Sequence, residues 1–140
     1  MTELLEQTRH ALDLTESEAP TKLALAKLVA RGLPVRSLEG LMARGIPKAD
    51  VYRVVAPKRT VERRQAQKRL SPSESDRTER LARIFALAST VLGNDDRAIS
   101  WLSTKKRRLE DERPLDLMES SLGADLVDSV LLQAYFGNVA

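Results

Sequence analysis

Apolar residues recur along this chain at intervals of three and four and stop repeatedly at glycine or proline, the pattern of amphipathic helices with defined ends. Leu23, Ala26 and Ala30 follow Pro20, with Lys27 beside them, and predict a short helix closed by Gly32 and then Pro34. Val35, Leu38, Leu41 and Met42 repeat the spacing as far as Gly45. Ile46-Pro47 opens a third helix through Val51, Val54 and Val55, with proline in the favoured first turn, and Ala56-Pro57 breaks it. A fourth helical stretch runs from about Lys58 to Leu70 and carries much of the basic charge.

Ser71-Pro72-Ser73-Glu74 has the form of a capping box, with serine as N-cap, proline in the first helical position and glutamate in the third. The helix it starts passes through Leu81, Ile84, Phe85, Ala88, Val91 and Leu92 and spans about twenty residues before Gly93 closes it as a left-handed cap. Arg77, Arg80 and Arg83 lie off the apolar stripe and read as a solvated face paired with Glu74, Asp76 and Glu79. Asn94 or Asp95 caps a short helix bearing Ala98, Ile99, Trp101 and Leu102, and Lys105-Lys106-Arg107-Arg108 reads as a solvated loop. Pro114 begins another short helix, with Leu115, Leu117, Met118 and Leu122, that Gly123 ends. Leu126, Val127, Val130, Leu131 and Ala134 form a last amphipathic helix before Gly137. The fold class expected is all-α, in two parts, residues 1–70 and 71–140.

Composition narrows the chemistry. A chain of 140 residues with 42% hydrophobic positions has material for a core, and it contains no cysteine, so neither disulfides nor thiolate chemistry are available. His10 is the only imidazole, which excludes the usual histidine-based catalytic and multi-histidine metal arrangements. Carboxylates such as Asp95, Asp96 and Asp116 form no convergent set, so the expectation is no enzyme, no metal and no cofactor. With no apolar run of membrane-spanning length and an acidic start at Glu3 and Glu6, the expected location is the cytoplasm, away from membranes.

The net charge of +3 hides strong segregation. Met1 to Pro20 holds one basic and five acidic residues, Lys48 to Arg69 eight basic and two acidic, and Glu110 to Ala140 one basic and seven acidic. A basic middle attracts a polyanion and an acidic end repels it, so two different partners are one reading and solvated helix faces the other. A short helix, a tight turn and the basic stretch after Pro57 outline a helix-turn-helix. On its second helix Thr60, Arg63, Arg64 and Gln67 share one face, while Val61 is left to pack on the preceding helix. Arginine and glutamine read base edges bidentately, and Lys58, Arg59 and Arg69 are placed for phosphates, so Lys58, Arg59, Thr60, Arg63, Arg64 and Gln67 are the candidate DNA contacts. Proteins of this type bind paired half-sites as two-fold dimers, hence an expected homodimer or larger assembly.

From about Leu70 onward the anchors Ala88-Ser89-Thr90-Val91-Leu92-Gly93, Ala98 with Trp101-Leu102, Pro114-Leu115-Asp116-Leu117, Gly123 and Gly137 occur in order, and in this order they resemble the toxin-binding module of the Xre/MbcA/ParS antitoxins. Glu110-Asp111-Glu112, where that family often has a glycine-containing loop, and Met118-Glu119-Ser120-Ser121 depart from the pattern. The resemblance implies an Xre-like DNA-binding part followed by a small helical module that inhibits a RES-domain toxin, a class that consumes NAD, by covering its active site. It further implies that the chain represses its own operon, with operator DNA and the cognate toxin as partners. An acidic module suits a cleft that holds pyrophosphate. The candidate toxin contacts are Trp101, also a candidate core anchor, with Leu102, Pro114, Leu117, Tyr135, Gly137, Asn138, Val139 and Ala140, the last residues forming a tip that enters the cleft. The alternative function is a free-standing helix-turn-helix regulator whose C-terminal part serves dimerisation.

Overall fold

A 21-residue helix, α6 (Pro72–Leu92), forms the spine on which the rest of the chain packs. The computed structural model describes residues 2–136. Ahead of α6 come α1 (Thr2–Ala11), α2 (Lys22–Arg31), α3 (Arg36–Ala43), α4 (Lys48–Val54) and α5 (Lys58–Gln67), and after it α7 (Asp95–Ser103) and α8 (Ser121–Tyr135). The link between α7 and α8 is built from two single 3-10 turns, Arg107–Leu109 and Pro114–Leu117. The all-α expectation holds: the described residues contain no strand, only two isolated bridges, Pro34 with Arg69 and Lys106 with Glu112.

Local chemistry explains the helix ends. Ser71 accepts the Glu74 N–H while Glu74 reaches back to the Ser71 N–H, completing the capping box, and Gly93 stops the helix at φ +107°. Asn94, not Asp95, caps α7 by accepting the Arg97 N–H at 2.8 Å. Helix α5 ends at Gln67, three residues short of the Leu70 expected, because Lys68 turns left-handed at φ 62° and the chain reverses toward Gly32. There the Leu70 N–H bonds to the Leu33 carbonyl at 2.8 Å, and a Cβ on Gly32 would lie 2.4 Å from the Leu70 carbonyl oxygen. Helix α1 is absent from the sequence reading, although Leu5, Thr8 and Leu12 have its spacing; it packs along α6 and contributes Ala11 and its neighbour Leu12 to the core.

One continuous cluster of buried side chains runs from Leu12 through Leu38, Leu41 and Ile46 to Leu81, Ile84 and Phe85, and on to Leu102, Leu115, Met118 and Leu131. Helix α6 contacts α1 and α2 ahead of it in the chain and α7 and α8 after it. Its arginines are not a solvated face. Arg77 donates twice to the Val55 carbonyl, at 3.1 and 2.8 Å, and Arg80 is buried, bonded to Asp76 at 2.6 Å and to Ser121 at 3.1 Å. Arg80 with Asp76, and Arg83 with Glu79 at 3.2 Å, keep the partners expected along the helix, whereas Glu74 pairs with Arg64 of α5.

Gly123 does not end the helix begun at Pro114. That segment is a single 3-10 turn closing at Met118, and Gly123 sits in the first turn of α8, its N–H bonded to the N-cap Ser120 at 3.0 Å. A Cβ at Gly123 would fall 1.9 Å from the Leu117 carbonyl oxygen. The glycine is there for close approach of two backbones, not as a stop.

Candidate functional site

On α5 the structure exposes Lys58, Arg59, Arg63 and Gln67, leaves Thr60 half-buried, and turns Val61 into the core. Arg64 differs. Its guanidinium makes a two-pronged bond to Glu74, Nε to Oε1 at 2.9 Å and Nη2 to Oε2 at 3.1 Å, and a third bond to Gln67 at 3.1 Å. Burial pushes the Glu74 carboxyl up, but Arg64 and the Ser71 N–H outweigh it and leave the group below the ordinary carboxylate range. Arg64 therefore ties α5 to the start of α6.

The pair joined by the tight glycine turn lies one helix earlier than the sequence pattern indicates. Helices α3 and α4 pack on each other across Arg44–Pro47, with Gly45 at φ +111°, whereas Pro57 breaks the chain between α4 and α5. Helix α4 buries Asp50, Val51 and Val54 and turns Lys48, Ala49 and Arg53 outward, with Tyr52 half-buried between them. Together with Lys58, Arg59 and Arg63 this gives a basic surface across α4 and α5.

The C-terminal segment meets that surface through a charge network absent from the sequence reading. Asp50, only 5% exposed, accepts from Arg53 at 2.7 Å and from Arg113 at 2.8 Å. Arg113 also forks onto Asp116 at 3.0 and 2.8 Å. Arg53 reaches Glu119 at 2.8 Å, Asp116 at 3.2 Å and the Leu115 carbonyl at 3.2 Å. The Arg113 bonds hold the Asp116 carboxyl below its usual range, and Asp116 and Asp50 in turn raise the guanidinium. At the turn, Arg44 pairs with Asp95 at 3.2 Å. The signal was the charge segregation itself: part of the acid in 110–140 answers base in 48–69 within one molecule.

Among the expected toxin contacts, Leu102 is fully buried and Pro114 is buried, so both build the core instead of presenting a surface. Trp101 and Leu117 are half-buried. Lys106 lies over the Trp101 ring, 4.9 Å from its centroid, with its amine lowered by burial, and its backbone N–H donates to the Glu112 carbonyl at 3.0 Å. The basic run 105–108 is thus a packed turn in part, not simply a solvated loop. The side chain of Tyr135, and Gly137, Asn138, Val139 and Ala140 entirely, lie outside the described residues. Sequence reasoning missed a different surface: α8 buries Val127 and Leu131 but leaves Leu122 72% and Leu126 50% exposed, with Leu132 and Phe136 farther along. The spacing of Leu122 and Leu126 was visible, but reading Gly123 as a stop assigned them to separate helices.

The model of the antitoxin Xre/MbcA/ParS C-terminal toxin-binding domain matches residues 87–137, and that of the antitoxin Xre-like helix-turn-helix domain matches residues 24–83. A protein of Pseudomonas putida named antitoxin Xre is 31% identical over 106 residues, which cover 75% of this chain and 67% of the relative. The chain belongs to the Xre/MbcA/ParS antitoxin family. An antitoxin Xre of Yersinia enterocolitica is 37% identical over 82 residues, 56% of this chain, and the match spans about half, 55%, of that relative. The two matched segments meet inside α6, so the toxin-binding segment comprises the end of α6, α7, the two 3-10 turns and α8. No described helix is long and apolar enough to cross a membrane.

Proposed function

We propose that this chain is the antitoxin of a type II toxin–antitoxin pair, that it neutralises a RES-domain toxin by covering its active site, and that it binds operator DNA through the α4–α5 surface. The observation that carries the toxin half is the outward pair Leu122 and Leu126, one turn apart on α8, inside the segment matched by the toxin-binding model. Large leucines this exposed on a helix whose other side is closed against a core mark a protein contact. Acidic Asp125 and Asp128 stand on the same helix and suit a basic nucleotide cleft. Inhibition is steric and electrostatic, and no residue of this chain does chemistry.

The DNA half rests on the exposed cations Lys48, Lys58, Arg59 and Arg63 beside the glycine-turn pair α3–α4. Residues 1–70 supply this surface and residues 71–140 the toxin contact, and the chain acts as a cytoplasmic dimer or larger assembly on two half-sites. The deciding experiment is co-expression with the product of the adjacent reading frame, followed by co-purification. The native chain should carry a RES-domain partner through purification, and a Leu122→Asp/Leu126→Asp double variant, both positions exposed, should lose it while melting as the native chain does. Absence of any partner from the native chain would favour the free-standing regulator.

A further inference from the structure

We propose that the C-terminal module acts as an intramolecular competitor for DNA at α4, with the carboxylates of Glu119 and Asp116 holding Arg53 where a backbone phosphate would otherwise sit. This rests on the reading of α4–α5 as the DNA surface. Arg53 is the one arginine that α4 turns outward, and it is saturated from the C-terminal side by Glu119 at 2.8 Å, Asp116 at 3.2 Å and the Leu115 carbonyl at 3.2 Å. Planar guanidinium bonded to oxygen pairs is also how arginine grips phosphate, so the module offers a substitute for the DNA backbone.

The parts of the network differ in what they do. Asp50 and Arg113 are the anchor: Asp50 is 5% exposed and bonded to both arginines, so breaking it threatens the fold. Glu119 is the free arm. Its side chain is 54% exposed and its ion pair is with Arg53 alone, three residues before Leu122 on the proposed toxin face. A toxin seated on Leu122 and Leu126 would lie against Glu119, draw it from Arg53 with any cation of its own, and return α4 to DNA. Toxin occupancy and operator occupancy are then linked through one side chain.

The test uses the full chain and, as probe, a labelled duplex of the DNA preceding its own reading frame, titrated at low and moderate salt. Glu119→Gln removes the charge at an exposed site and should tighten binding about fivefold, the size of one unit-charge contact in water, with a steeper salt dependence. In an Arg53→Ala background the same change should have no effect, which a general loss of negative charge would not produce. Equal affinities of the native chain and Glu119→Gln, with both binding the duplex, would overturn the competitor and leave the DNA surface standing. If no form binds at low salt, the DNA surface itself is wrong and the competitor falls with it.

Discussion

Replacing Gly123 by alanine should destabilise the protein, although alanine is the better helix former by about 1 kcal/mol in a helix interior. The added methyl would sit 1.9 Å from the Leu117 carbonyl oxygen and 2.9 Å from its carbon, so the turn or α8 must move by more than 1 Å to reach the ordinary contact distance of about 3.5 Å. The obstacle is backbone, and it is pinned: Leu115 and Met118 on either side of it are fully buried. Overpacking of this kind costs about 1–3 kcal/mol, and with no flexible side chain to yield the upper half applies. Setting the propensity gain against it leaves a net loss of about 1–2 kcal/mol, or roughly 4–8 °C in melting temperature for a chain of this size. Thermal unfolding followed by circular dichroism measures it, with Ser129→Ala on the exposed side of α8 as the control that should stay within about 0.5 kcal/mol of the native chain. If Gly123→Ala melts at or above the native temperature, the approach of the 3-10 turn to α8 does not constrain this position and the account of the glycine is wrong.

Arg63→Ala should weaken duplex binding by about 1–3 kcal/mol with the melting temperature unchanged, whereas Arg64→Ala should lower the melting temperature by freeing Glu74; gel shift and melting on both variants decide, and the reverse pattern would place Arg64 on the reading face. Glu18, Glu74 and Asp116 all titrate below their ordinary values in the fold, Glu18 chiefly through its bonds from Arg36, so the unfolded chain takes up their protons first. Their stabilisation is complete above the ordinary carboxylate range of about 4 and is lost as pH falls below it; a melting temperature constant from about pH 5 to about pH 3 would contradict this. Deleting residues 137–140 should relieve toxin inhibition while leaving helical content and complex formation in place, and full protection of cells by the truncated chain would remove the plugging role from the tip.

Helix ends were legible wherever a single residue decides them: the Ser71–Glu74 capping box and Gly93 fall where the pattern puts them, because local hydrogen bonding and backbone sterics settle these positions without reference to the rest of the chain. The errors share one cause. Gly123 was read by the same local rule, but its role is set by Leu117, which the fold brings within one atom's width. Arg77 and Arg80 look like solvated charge in one dimension and find the Val55 carbonyl and Ser121 in three, and Arg64, chosen as a DNA contact, finds Glu74. Leu102 and Pro114, chosen as contacts because they anchor the family pattern, are anchors for the reason core residues are, while the exposed row on α8 needed the helix boundary to be right before its face could be counted.

The two matched segments share α6, and the polar side of that helix predicts that they unfold together. Within ten residues of its start Glu74 holds Arg64 of α5, the Ser75 hydroxyl accepts the buried Leu33 N–H at 2.7 Å, Arg77 holds the end of α4, and Arg80 reaches Ser121 at the start of α8. Behind them Leu81, Ile84, Phe85 and Ala88 close the core against helices from both segments. The charge network between α4 and the Pro114 turn adds a second bridge away from the spine. A boundary between independent domains is crossed by few contacts; here every element near the junction touches α6 or is bonded across it. Scanning calorimetry should therefore give one transition with equal calorimetric and van't Hoff enthalpies. Two resolved transitions, or a protease cut within α6 that leaves a folded C-terminal fragment, would mean that the segments fold separately and that the link from Glu119 to α4 joins independent domains.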